Sequence, residues 1–151
     1  MKFDSLIKGG IVVLPAHGPV RADVGCKAGR IAAIADDLST ASSDEVVDAR
    51  GLHVFPGAVD SHFHVGIYRP HAEDARSESL SAVSGGVTTL ISYFRTGHHY
   101  LNKTGPYREI FPEVLELSKG NFHADYGYHI APMTTAQLDE IPWLVEQGVA
   151  S

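Results

Sequence analysis

The feature that most constrains the fold is a regular alternation of strand and helix patterns after Pro56. Apolar and β-branched runs predict strands at residues 58–65, 88–94, 122–130 and, just beginning, 149–151. Apolar residues at helical spacing predict helices at residues 73–84, 107–119 and 134–147. Two parallel strands need a long crossover connection, which is usually a helix. The alternation therefore predicts an α/β fold with parallel strands.

The ends and faces of two of these helices follow from single residues. In the first helix, Ala75, Leu80 and Val83 form the apolar face, and two glycines after residue 84 end the helix. In the third helix, Thr134 is the expected N-cap and Gln137 is expected to complete a capping box.

The first 55 residues show a different pattern. Short strands separated by turns that contain glycine and proline predict a small antiparallel β unit. The polar stretch 36–45 is expected to be a loop, with a further strand starting at Val46. We therefore predict a β-sandwich segment at residues 1–55 and an α/β part at residues 56–151.

The α/β part is too short to form a closed barrel. A (β/α)8 TIM barrel takes about 250 residues, whereas the whole chain has 151. An open sheet of a few parallel strands would expose edges that native folds normally cover. We interpret the chain as the N-terminal portion of a longer protein, with the first three βα units of an incomplete barrel. A small complete α/β domain is the alternative.

Composition and charge exclude several classes of protein. The formal net charge is -6 without a basic run, so neither nucleic acid nor an anionic membrane surface is an expected partner. No apolar segment approaches the roughly 20 residues that span a bilayer, and the N-terminus lacks the apolar stretch of a signal peptide. Cys26 is the single cysteine, which excludes an intrachain disulfide. A cytoplasmic protein is expected.

Two histidines at the end of the first α/β strand suggest metal chemistry. His62 and His64 are two residues apart, and alternate side chains of a strand point to the same face. Two neighbouring imidazoles supply half of a tetrahedral zinc site. Two histidines that bind nothing would show the same spacing, so the flanking sequence has to decide between the two interpretations.

An ordered series of motifs surrounds these histidines. The motifs are KGG at residues 8–10, GRIAAI at 29–34, VDARGL at 47–52, PGAVDSHFH at 56–64, SGGVTT at 84–89 and DYGYH at 125–129. The series resembles the amidohydrolase superfamily, and within it the cyclic amidohydrolases: hydantoinases, dihydropyrimidinases, allantoinases and dihydroorotases. The resemblance covers essentially the whole chain.

The resemblance implies a TIM barrel with a β-sandwich made from both chain ends, and a binuclear metal centre that activates water. The metal is usually zinc, with Mn²⁺ or Co²⁺ as alternatives. His62 and His64 match the ligands on the first barrel strand. The resemblance places the remaining ligands beyond Ser151, beginning with a carboxylated lysine expected within about five residues. It also implies a homo-oligomer, either a tetramer or a dimer.

The function implied by the resemblance is metal-dependent hydrolysis of a cyclic amide, of the hydantoin or dihydropyrimidine type. We expect the 151-residue chain to be inactive alone. Gly66 stands where dihydroorotases typically carry an arginine, which makes that activity less expected. The alternatives are a non-catalytic dihydropyrimidinase-like scaffold, which assembles without catalysis, and a small free-standing binding module.

Other polar residues near these strands are candidates for the site. Asp60 precedes the histidines by two and is expected to share their face, where it either orients an imidazole or bonds to the backbone. Tyr68 and Arg69 follow the same strand and are candidates for the mouth of the substrate site. His98 and His99 are further mouth candidates, in a loop that could equally be solvated surface.

Overall fold

The N-terminal part of the chain folds as a five-stranded mixed sheet. The computed structural model describes residues 2–149 and 151. The strands of this sheet are β1 (Lys2–Leu14), β2 (Gly18–Lys27), β3 (Arg30–Ala35), β4 (Ser42–Asp48) and β5 (His53–Val54). Their order is β3-β2-β1-β4, with β5 also beside β1. The unit comprises Met1–Pro56.

The sheet is not purely antiparallel, so that part of the prediction is wrong. Strand β1 pairs with β2 in the antiparallel direction, and β2 pairs with β3 in the same way. On its other edge, β1 pairs with β4 and β5 in parallel. Strand β1 is 13 residues long, so one of its edges has enough free backbone groups to pair with both β4 and β5.

The predicted loop at residues 36–45 is also too long, because β4 begins at Ser42. The sequence of β4 is mostly polar and carries no strand pattern until Val46. Lys2 pairs with Ser42 and Ser5 with Glu45 across the parallel ladder. Backbone pairing with β1 therefore makes this polar segment a strand, overriding its weak intrinsic preference.

Apolar side chains of β1 and β2 form the core of this unit. Phe3 and Leu6 are each 2% exposed, and Val24 is also buried. Gly25 lies directly over the ring of Phe3, where an added Cβ would come within 2.6 Å of ring carbon atoms. A glycine is therefore required there so that the aromatic ring can lie flat against the sheet.

The second unit, Gly57–Ser151, has a three-stranded parallel sheet with helical crossovers, as the alternation predicts. Its strands are β6 (Ala58–His64), β7 (Val87–Phe94) and β8 (Asp125–Ile130), in the order β6-β7-β8. Its helices are α1 (His71–Ser84), α2 (Tyr107–Ser118), α3 (Thr135–Leu138) and α4 (Ile141–Glu146). Both strand pairs are parallel, so the predicted α/β fold is confirmed.

The core of the second unit lies between this sheet and α2. Phe94 of β7 and Tyr128 of β8 are buried against Tyr107, Phe111 and Val114 of α2. The aromatic rings contact one another edge-on or tilted, with Phe111 and Tyr128 centroids 5.5 Å apart. The helix predicted at residues 107–119 is therefore observed as α2, and its buried face includes Ile110, Phe111 and Val114.

Helix α1 packs with a different face from the one predicted. Ala75 is fully buried as expected, but Leu80 is 53% exposed and Val83 is 39% exposed. The buried positions of α1 include the polar residues His71 and Asp74. The apolar pattern gave the wrong face because polar side chains near the helix N-terminus are held by hydrogen bonds inside the unit.

The predicted helix at residues 134–147 is broken into α3 and α4. Thr134 is the N-cap of α3, and its hydroxyl accepts a hydrogen bond from the backbone N–H of Gln137. The side-chain oxygen of Gln137 accepts a hydrogen bond from the backbone N–H of Met133, the residue before the N-cap, and not from that of Thr134. The reciprocal half of the predicted capping box is therefore absent. Pro142 lies in the first turn of α4. Proline has no backbone N–H to donate, so it fits the first turn of a new helix but would interrupt a helix that continued from α3.

The strand predicted at residues 149–151 includes Ala150, which lies outside the described residues. Ser151 is described, and its carbonyl oxygen accepts a hydrogen bond from the backbone N–H of Ile130 at 2.9 Å. Across the described part of the chain, no helix has the length and apolarity needed to cross a membrane.

Candidate metal centre

The two histidines of the HxH motif lie together at the C-terminal end of β6. The Nε2 atoms of His62 and His64 are 3.1 Å apart, and the ring centroids are 4.8 Å apart. The C-terminal ends of β6, β7 and β8 lie at the same edge of the parallel sheet. In parallel α/β folds this edge carries the functional groups.

The distance between the two nitrogens matches a shared metal ion. Two imidazole nitrogens that each lie about 2.0–2.1 Å from one tetrahedral zinc ion are separated by about 3.3 Å. The observed Nε2–Nε2 distance of 3.1 Å is close to that value. Two neutral imidazoles can also share one proton at this distance, with one ring donating and the other accepting. The residues present therefore fit one half of a tetrahedral site.

The described residues bring together two candidate ligands and no third. Both histidines are exposed to solvent on the open side of the sheet. Among residues 2–149 and 151, no group of three or more His, Cys, Asp or Glu side chains is arranged to hold a metal ion. A complete site needs at least one further ligand.

The environment of His64 favours the neutral imidazole that a metal requires. Partial burial and the nearby His62 lower the pKa of His64. The other ring nitrogen, Nδ1, lies 2.7 Å from the hydroxyl of Tyr100. The ring of Tyr93 lies beside both histidines, with centroids 5.3 Å from His64 and 5.8 Å from His62.

The expectation that Asp60 shares the face of the histidines is wrong. The register between β6 and β7 shifts after Asp60, which pairs with Leu90, whereas His64 pairs with Tyr93. Leu90 and Tyr93 are an odd number of residues apart, so they point to opposite faces of the sheet. The carboxylate of Asp60 accepts a hydrogen bond from the backbone N–H of His62 at 3.0 Å, which was the second of the two roles considered.

The predicted mouth residues lie on the loops that follow the first two strands of the sheet. Tyr68 and Arg69 follow β6 and are exposed, with Tyr68 at 91%. His98 and His99 follow β7 and are exposed, and their rings contact each other at a tilt with centroids 4.1 Å apart. All four therefore follow strands at the C-terminal edge of the sheet, and none of them is hydrogen-bonded to His62 or His64.

Two further residues lie near the pair. Tyr100 is buried and hydrogen-bonded to His64, although its sequence neighbourhood indicates only a polar loop. His129 lies on β8 opposite Tyr93, with its ring centroid 5.9 Å from that of His62 and its Nε2 against the carbonyl oxygen of Ser61. Tyr100 and His129 lie in segments far from the HxH motif in sequence, and only the folded sheet brings them next to its histidines.

Curated proteins with related sequences include allantoinases and hydantoinases. An allantoinase from Deinococcus radiodurans is 32% identical over 152 residues, which cover 99% of this chain and 32% of that protein. A D-hydantoinase from Geobacillus stearothermophilus is 34% identical over 154 residues, which cover 97% of this chain and 31% of that protein. The chain therefore spans about a third of the length of these curated relatives. No protein-family model matches the chain.

Solved structures agree with the sequence relatives. The L-hydantoinase (dihydropyrimidinase) from Arthrobacter aurescens superposes with a TM-score of 0.81 and 28% identity, covering 97% of this chain and 32% of that protein. The predicted fold class, the opening portion of a TIM barrel preceded by a β segment, is confirmed by this match. The resemblance to the cyclic amidohydrolases is also confirmed.

Proposed function

This chain is homologous to the cyclic amidohydrolases of the amidohydrolase superfamily, and on that premise we propose that the protein carrying it hydrolyses a cyclic amide with a divalent metal. The substrate class is a small ring amide of the hydantoin or dihydropyrimidine type. The relatives named allantoinase and D-hydantoinase support this class.

The observation that carries the proposal is the pair of imidazoles at the C-terminal edge of the sheet. His62 and His64 are related by the strand repeat, and β6 holds their Nε2 atoms 3.1 Å apart. Two imidazole nitrogens that bind one tetrahedral zinc ion must converge to about this separation. The hydroxyl of Tyr100 contacts the opposite nitrogen of His64, which is a common arrangement behind metal-bound histidines.

We assign His62 and His64 as metal ligands, with zinc as the first candidate and Mn²⁺ or Co²⁺ as alternatives. A bound divalent cation lowers the pKa of a water molecule and polarises the amide carbonyl. Two imidazoles are too few to hold a binuclear centre, so the proposed bridging carboxylate and further imidazoles would come from outside this chain. The role of this chain is to present two oriented nitrogens and to line one side of the substrate mouth.

A non-catalytic scaffold is the less favoured alternative. A scaffold has no chemical need to hold two imidazoles within bonding distance of one ion at the functional edge. Assembly into a homo-oligomer is compatible with either function and stays a prediction. Zinc binding together with hydrolysis would exclude the scaffold.

The test is mutation of each histidine in the full-length protein. We expect His62→Ala and His64→Ala each to reduce the bound metal per chain, measured by atomic absorption, and to remove nearly all hydrolysis of hydantoin and dihydrouracil. His17→Ala is the matched control, because His17 is an exposed histidine on a turn of the N-terminal unit. Unchanged metal content in both HxH variants would reject the assignment of these histidines as ligands.

A further inference from the structure

The segment after β7 contains an unusual run of backbone angles. Four consecutive residues without a glycine have positive φ: His99 at 62°, Tyr100 at 47°, Leu101 at 75° and Asn102 at 54°. Side chains of L-residues collide with the backbone in this region, so such residues occur there singly and rarely. A run of four persists only if the surrounding structure holds it in place.

Three hydrogen bonds stabilise this turn. Gly97 donates its N–H to the carbonyl oxygen of Lys103 at 2.6 Å, which closes the base of the turn. The side chain of Asn102 accepts from the backbone N–H of His99 at 3.0 Å. The backbone N–H of Tyr100 donates to the carbonyl oxygen of Gly66 at 3.2 Å. The last bond joins the turn to the loop that follows β6.

Gly66 is held in place by helix α1. Its N–H donates to the carboxylate of Asp74 on α1 at 2.8 Å, and Asp74 is buried. Gly66 has φ +80°, and an added Cβ would lie 3.0 Å from Nδ1 of His71. A chain of contacts therefore runs from α1 through Gly66 to the backbone of Tyr100.

The result of this arrangement is the position of one side chain. Tyr100 is 4% exposed, and its ring lies 5.9 Å from Phe94 and 5.6 Å from Tyr93, measured between centroids. Its hydroxyl reaches Nδ1 of His64 at 2.7 Å. A phenylalanine would fill the same apolar space without the cost of burying a hydroxyl. The hydroxyl is therefore the part of this side chain that packing does not explain.

We propose that Tyr100 is a positioning residue that fixes the ring orientation and the tautomer of His64, and that the strained turn at residues 99–102 exists to deliver its hydroxyl. The proposal rests on the proposed function, because it assigns Nε2 of His64 to the metal. When Nδ1 carries the proton and donates it to the Tyr100 oxygen, Nε2 keeps its lone pair free. The lone pair of Nε2 then points toward the Nε2 atom of His62, 3.1 Å away.

The test compares two tyrosine-to-phenylalanine variants of the full-length protein. Tyr100→Phe removes the hydroxyl that contacts His64 and keeps the buried ring. Tyr93→Phe is the matched control, because the Tyr93 ring also lies beside His64 but makes no hydrogen bond to it in the structure. Zinc affinity is measured by competition with a chromophoric chelator, and the tautomer of His64 is read from imidazole ¹⁵N shifts of the metal-free protein.

We expect Tyr100→Phe to weaken zinc binding about 10–100-fold, the usual effect of removing a partner behind a metal ligand. We also expect the ¹⁵N shifts of His64 to move away from the Nδ1–H tautomer, while Tyr93→Phe changes neither quantity. Equal zinc affinity and an unchanged tautomer in Tyr100→Phe overturn the proposal. If the wild-type protein binds no zinc, the proposed function fails, and the ¹⁵N shifts alone still decide whether Tyr100 sets the tautomer.

Discussion

At the scale of single residues, Glu140 shows how one buried carboxylate organises a helix start. One oxygen of Glu140 accepts from the backbone N–H of Tyr107 at 2.8 Å, and the other accepts from that of Arg108 at 3.0 Å. These are the first two N–H groups of α2, which have no partner within the helix. The negative charge also lies at the positive end of the helix dipole. A residue more than 30 positions away in sequence thus caps α2.

We predict that Glu140→Gln lowers the free energy of unfolding by about 2 kcal/mol, since it removes the charge from two buried hydrogen bonds. The amide keeps the size of the side chain but presents a donor where the helix also presents donors. The measurement is urea unfolding followed by circular dichroism. Asp139→Asn, an exposed change at the adjacent position, is the control and should have almost no effect.

His71 is a second residue whose environment decides its charge. It is 3% exposed, and its Nε2 lies 3.0 Å from the hydroxyl of Ser118 and 3.1 Å from that of Tyr128. Burial lowers the pKa of His71 below its ordinary value of 6.5, and the charge of Asp74 opposes this shift only in part. The folded protein therefore holds His71 as a neutral imidazole.

This shift predicts a loss of stability in acid. Below pH 6.5 the unfolded chain binds a proton at His71 more readily than the folded chain does, so the free energy of unfolding falls as the pH falls from 6.5. His71→Gln keeps a hydrogen-bonding side chain but cannot titrate, so its stability should depend less on pH between 5 and about 6.5. Urea unfolding at several pH values measures the difference. An equally steep pH dependence in wild type and variant would show that His71 is not the responsible group, and His17→Gln serves as an exposed control.

At the scale of elements, the turn at residues 99–102 stores backbone strain. His99 has φ 62° and ψ -178°, a combination that only glycine adopts without strain. Its side chain is exposed and contributes little packing. The cost of holding this residue in place is offset by the hydrogen bonds and the burial of Tyr100 described above.

We predict that His99→Gly raises the free energy of unfolding by about 1 kcal/mol or more, because glycine removes the strain. The control is His98→Gly, since His98 is its exposed neighbour but lies outside the run of positive φ. There the added flexibility of glycine should lower stability or leave it unchanged. Thermal or urea unfolding of both variants distinguishes these outcomes. A loss of stability in His99→Gly would contradict the interpretation that His99 is strained.

Elements that are determined by local sequence could be predicted, whereas elements that depend on distant parts of the chain could not. The α/β alternation and the HxH pair follow from local periodicity, and both were predicted. Strand β4 was missed before Val46, because pairing with β1 and not its own polar sequence makes it a strand. The face of Asp60 was wrong because a register shift in β6 reverses the alternation on which the prediction relied. Tyr100 was missed because its position depends on Gly66 in another loop.

At the scale of the whole molecule, the chain carries the two candidate ligands of the proposed metal site, and its described residues add no third. It spans about a third of the length of its curated relatives. A complete site needs at least one ligand besides His62 and His64, and we expect it to come from outside the described residues.

The last prediction is that the 151-residue chain, purified and loaded with zinc, does not hydrolyse hydantoin or dihydrouracil. Hydrolysis of a ring amide at neutral pH needs a water molecule whose pKa a firmly held cation has lowered. His62 and His64 provide two nitrogens, and the described residues add no third ligand to them. Zinc held by two exposed imidazoles exchanges readily and lacks the enclosed setting that makes it an effective catalyst. Ring opening is followed by ultraviolet absorbance, with the double variant His62→Ala, His64→Ala as background. Turnover above that background, dependent on zinc, would show that the site is complete within this chain and would overturn the requirement for further ligands.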